Sequence, residues 1–69
     1  MNREEIITMA NHKYEVWVET GVGLLVHKFP PEEYETDEDQ YEHVLDLIRG
    51  CRLSGTRYTV FRDDQLANL

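Results

Sequence analysis

The residues Lys13–Glu19, KYEVWVE, alternate along the chain: Tyr14, Val16 and Val18 fall on one side, Glu15, Trp17 and Glu19 on the other. A period of two is the signature of a strand with one covered face. Thr20-Gly21-Val22-Gly23 follows with glycines suited to a turn, and Leu24–Phe29 (LLVHKF) reads as the return strand, so the segment predicts a β-hairpin. Pro30-Pro31 ends it, because proline lacks the N–H a ladder needs and holds its predecessor extended.

Beyond the prolines the period changes. Thr36 is suited to cap a helix, and Asp37, Glu38 and Asp39 fill the first turn, where the macrodipole favours negative charge. Tyr41, Val44, Leu45 and Ile48 gather on one stripe, and Gly50 stands where a C-terminal glycine usually terminates a helix, which predicts a helix over Asp37–Arg49. Ser54-Gly55 turns the chain, and Thr56–Arg62 (TRYTVFR), rich in β-branched and aromatic residues, predicts a third strand. At the start, Asn2 and Glu5 have capping-box spacing and Ile6, Met9 and Ala10 recur at helical intervals, predicting a short N-terminal helix over Arg3–Asn11.

The expected fold class is therefore α+β: a single small domain over residues 1–69, a three-stranded antiparallel sheet of order 2-1-3, one main helix on one face and a short N-terminal helix. The main helix is expected over Val16, Val18, Val26, Tyr58 and Val60. Trp17, Leu25 and Phe61 are left on the other face, to be covered by the N-terminal helix or by a second subunit in a homodimer.

With 69 residues the chain has one modest core, and domains of this size usually lean on disulfides, a metal or a partner chain. Cys51 is alone, which removes the disulfide and fits a reducing, cytoplasmic setting. No signal-peptide pattern is visible, and the longest apolar run, Val22–Val26, is far too short to span a membrane. The net charge of −7 argues against binding phosphate backbones or anionic lipid and for attraction to basic surfaces.

Catalytic, cofactor and metal motifs are not found. His12, His27 and His43 are scattered singly, with no partner for the lone cysteine. The run from Asp37 has Glu42 where a calcium loop needs glycine and Ile48 where it needs an acid. Cys51, expected just past a helix C-terminus where the dipole disfavours a thiolate, reads as a small buried apolar residue. Gly21 and Gly23 belong to the hairpin turn rather than to a phosphate loop. No enzyme, no cofactor and no metal is expected.

Charge, in contrast, is laid out in blocks. Pro30–Asp46 holds eight of the fourteen acidic residues and no Lys or Arg. Arg49, Arg52, Arg57 and Arg62, interleaved with Tyr58 and Phe61, have the ingredients of a nucleic-acid face, a third reading that the whole-molecule charge opposes. Helix capping explains Asp37–Asp39. It does not explain the stripe through Glu35, Glu38, Asp39, Glu42 and Asp46, whose like charges at i,i+4 each cost on the order of 0.2–0.5 kcal/mol. Selection for stability alone would alternate lysine with glutamate. The stripe is expected to meet a protein with a basic surface, chiefly a nucleic-acid-handling enzyme whose cleft takes carboxylates in place of phosphates.

Small size, acidity, an αβ pattern and the lack of catalytic residues together are similar in kind to phage or plasmid inhibitors such as anti-CRISPR and anti-restriction proteins. That is a likeness of composition rather than of any motif. It implies a non-enzymatic, nucleic-acid-mimicking inhibitor. The alternative is a structural or adaptor subunit assembling through the Trp17 face, with the acids solubilising.

Overall fold

The computed structural model describes residues 12–69; the expected N-terminal helix over Arg3–Asn11 lies outside the described residues. Strands β1 (Tyr14–Thr20), β2 (Gly23–Phe29), β3 (Tyr58–Arg62) and β4 (Gln65–Ala67) form one antiparallel sheet of order β2-β1-β3-β4, with helix α1 (Asp37–Ser54) on one face and a single 3-10 turn at Pro31–Glu33.

The hairpin and the pairing of the third strand beside the first stand as expected: Tyr14 lies opposite Phe29, Thr20 opposite Gly23, and Val16 opposite Val60. Among the described residues the sheet has four strands rather than three. Asp63 and Asp64 both adopt left-handed backbone (φ 52° and 66°) in a two-residue turn, which returns the chain as the three-residue β4. Aspartate tolerates that region better than most residues, and here the turn is held from outside. The Lys13 N–H donates to Asp63 Oδ1 (2.9 Å), and the Asp63 N–H donates to the Lys13 carbonyl (2.8 Å). The same Lys13 N–H, with His12, pushes the Asp63 carboxyl below the ordinary carboxylate range.

Thr36 caps α1 as expected, its Oγ1 accepting from the Asp39 N–H at 3.0 Å. The far end differs. Gly50 stays helical and the helix runs to Ser54, closed by Gly55 in left-handed conformation (φ 71°, ψ 21°). Cys51 therefore lies inside the last turn, and its burial in the core holds that turn together against the weak helix propensity of glycine. Alanine should act with opposite signs at the two glycines, neither of which has an atom within 4 Å of an added Cβ. Gly50→Ala should stabilise by up to about 1 kcal/mol, and Gly55→Ala should destabilise by about the same amount, as read from urea midpoints.

The core is Tyr14, Val16 and Val18 of β1, Phe29 of β2, Val60 of β3, and Val44, Ile48 and Cys51 of α1. Two expected placements are corrected. Val26 pairs with Trp17 and shares its face, while Leu25 pairs with Val18 and lies on the helix face. A two-residue turn sets this parity, and a one-residue difference in the loop exchanges every side chain between faces. The buried stripe of α1 also runs through Gln40 rather than Tyr41, whose ring remains partly exposed beside Tyr14.

Candidate functional site

The outer surface of α1 is built by its own periodicity. Gln40, Val44, Ile48 and Cys51 point into the core, so Glu38, Asp39, Glu42 and Asp46 stand exposed on the side away from the sheet. Asp37, although in the first turn, is half-buried, with Oδ1 shielded from solvent and no hydrogen-bond partner among the described residues. Glu35 is exposed but precedes the Thr36 cap, so Glu35 and Asp39 are not a pair on the helix. Two like-charge pairs remain, Glu38 with Glu42 and Glu42 with Asp46.

Compensation is thin. Arg49 Nη1 meets Asp46 Oδ1 at 2.9 Å, an exposed i,i+3 pair of the kind that contributes about 0–1 kcal/mol. Among the described residues no ion pair involves Glu38, Asp39 or Glu42.

The expected arginine face is divided. Arg49 serves Asp46. Arg52, exposed, reaches along the surface, donating from Nε to the Tyr58 hydroxyl (2.9 Å) and from its guanidinium to the Leu69 carbonyl (2.8 Å), and lies 6.0 Å from the Tyr58 ring centre. Tyr58 and Phe61, three residues apart on β3, face opposite sides of the sheet. The four arginines and two aromatic rings do not share one surface.

On the open face of the sheet, Trp17 and Phe61 pack with ring centres 5.2 Å apart, and Trp17 Nε1 donates to Glu15 Oε1 at 3.0 Å. Register adds Leu24, Val26 and Leu66 to this face, all exposed, in place of Leu25. The result is an apolar strip that crosses all four strands.

A cleft of about 450 Å³ lies between the end of β2, the 3-10 turn and α1. Folding brings His27 and His43 there beside the consecutive residues Glu33 and Tyr34. The Tyr34 hydroxyl lies 2.6 Å from His43 Nδ1, and the His43 ring stands edge-on to both Tyr34 and Phe29. Burial, then the charge of Glu33, raises the Tyr34 phenol above its ordinary range. Among the described residues no group of three or more His, Cys, Asp or Glu is placed to hold a metal ion. Among them, too, no helix is long and apolar enough to cross a membrane.

The structure thus defines a small α+β domain whose two distinctive surfaces are an acidic helix and an apolar sheet face. No protein family, curated protein or solved structure matches the chain.

Proposed function

We propose that the protein is a small acidic inhibitor, non-enzymatic, which sets the outer face of α1 into the basic cleft of a nucleic-acid-handling protein in place of phosphates. The observation that carries this reading is the exposed run Glu38, Glu42, Asp46, kept in like-charge register on a helix whose capping and burial do not require it. A chain this small has little stability to spare, and a basic partner would turn that repulsion into attraction. Glu35, before the cap, and Asp39, in the first turn, border the same surface.

The test is the variant Glu38→Gln, Glu42→Gln, Asp46→Asn. Its melting temperature should hold or rise, because two like-charge pairs vanish and only one exposed ion pair is lost. Affinity for the partner captured by the immobilised full chain should fall at least about 100-fold, and duplex DNA should displace that partner from the unaltered protein. A partner that binds the variant equally well, or binds DNA and this protein together, overturns the reading.

A second reading, a structural or adaptor subunit assembling through the open sheet face, is favoured by the strip Trp17, Val26, Phe61 and Leu66. Leu66, 69% exposed, can be changed at little expense to the fold. Leu66→Lys should then abolish assembly while leaving the unfolding midpoint within about 0.5 kcal/mol of the parent; assembly that survives the lysine removes this reading.

A further inference from the structure

Among the described residues β2 is the outer strand at one edge of the sheet, seven residues without a proline. Its outward-facing groups follow from the ladder. The Glu19 N–H donates to the Arg57 carbonyl, and the Lys13 carbonyl accepts from the Asp63 N–H, so odd-numbered residues of β1 bond toward β3. Even-numbered residues of β1 therefore bond toward β2, where their partners are Gly23, Leu25, His27 and Phe29. The N–H and C=O groups of Leu24, Val26 and Lys28 point away from the sheet.

The side chains along this edge are equally open: Leu24 is 58% exposed, Leu25 51% and Val26 40%. Leu24 and Val26 lie on the open face and Leu25 on the helix face, so this part of the strand is apolar and, among the described residues, uncovered on both sides. Edge strands are ordinarily blunted by shortness, proline, a bulge or central charge. β4, at the other edge, is only three residues long, whereas β2 carries a single charged residue, Lys28, near its end.

We infer that β2 pairs antiparallel with β2 of a second copy of this chain, about a two-fold axis at Leu25, joining two four-stranded sheets into one of eight strands. Parity selects the register. Leu24 and Val26 both turn their backbone outward, so Leu24 can exchange both hydrogen bonds with the partner's Val26, and Leu25 then faces the partner's Leu25 in the unbonded position. A slip of one residue sets an outward backbone against an inward one. A slip of two sets Leu24 against the partner's Lys28 in one direction and Gly23 against the partner's Leu25 in the other. Only the central register matches apolar with apolar on both faces. A second copy suits the edge better than a foreign strand because Val22–His27 supplies its own complement and carries no formal charge, while the excess acid lies on α1.

The axis is perpendicular to the sheet, so both α1 helices stand on the same side with their acidic surfaces adding. Salt should therefore strengthen this dimer, whereas it should weaken capture of a basic partner, which separates the failure of one proposal from that of the other. Sedimentation equilibrium of the full chain, from micromolar to about 1 mM at low and high salt, should show a weak dimer, as the small contact implies. Its dissociation constant should fall as salt rises.

Val26→Pro removes an outward N–H that the monomer does not use, an exchange tolerated on edge strands, and should leave a folded monomer across that range. Leu25→Lys sets like charges face to face and should weaken dimerisation at least about tenfold, so the proposal stands on a second variant if the proline variant does not fold. Leu66→Lys, away from the edge, should dimerise as the parent does. A parent that stays monomeric, a folded proline variant or a Leu25→Lys variant that pairs like the parent, or a dimer lost on Leu66→Lys overturns it.

Discussion

Gln40→Met should destabilise the domain by about 1–3 kcal/mol, although the two side chains are of similar size. Gln40 is fully buried in the first turn of α1. Its Nε2 donates to the carbonyl of Phe29 at 2.8 Å and to the carbonyl of His12. The Phe29 carbonyl also belongs to the ladder opposite Tyr14, whereas the His12 carbonyl lies just before β1 begins. Methionine fills the space and donates nothing, so the part-buried His12 carbonyl loses this partner at about 1–3 kcal/mol and the Phe29 carbonyl keeps only the ladder. Part is recovered, because Gln40 Oε1 is itself buried without a partner among the described residues and methionine removes it. Urea unfolding followed by circular dichroism checks the loss; an unchanged midpoint would show that the amide is only a filler.

Ile48→Ala should cost about 2–5 kcal/mol, the range for a large aliphatic side chain deleted from a packed interior. Ile48 is 1% exposed, in the core that α1 forms with Val16, Val18 and Val60. A core with eight buried apolar side chains among the described residues has few neighbours able to collapse into the space. Net stability at this chain length is rarely more than about 3–5 kcal/mol, so the variant should be largely unfolded at 25 °C. Leu53→Ala, on the same helix but 90% exposed, should lie within about 0.5 kcal/mol of the parent. Comparing the two in one urea series separates burial from helix propensity.

Much of the architecture was legible because its signals are local. Alternation in β1, the Gly-containing turn, the proline stop and the Thr36 cap each act within a few residues, and they lead to the hairpin and the start of α1. What was not legible depends on partners distant in sequence. Leu24-Leu25-Val26 has no alternation of its own, so its parity is decided by pairing with β1, and Leu25 and Val26 exchange faces relative to expectation. Gly50 resembles a terminator, yet the burial of Cys51 carries the helix past it to Gly55. β4 is too short to leave a pattern, and its turn is secured by Lys13, fifty residues earlier.

The acidic surface was legible as exposed charge, since helical spacing alone places Glu38, Glu42 and Asp46 together. Its boundary was not: Glu35 falls outside the helix and Asp37 turns inward. The apolar sheet face was legible through Trp17 and Phe61 but not through Leu66, which arrives with the unanticipated strand. Gln40 was hidden by its polarity, for a hydrophobic stripe is read from apolar residues and this one carries an amide at its head.

That amide has a consequence for how the surface can change over generations. The start of α1 is anchored by Thr36 from its own chain and by Gln40 to the ends of both hairpin strands. None of these bonds uses an acidic side chain of the outer face. Glu38, Glu42 and Asp46 are thus free to drift with little loosening of the scaffold, so this surface could be retuned one residue at a time while the fold beneath stays as it is.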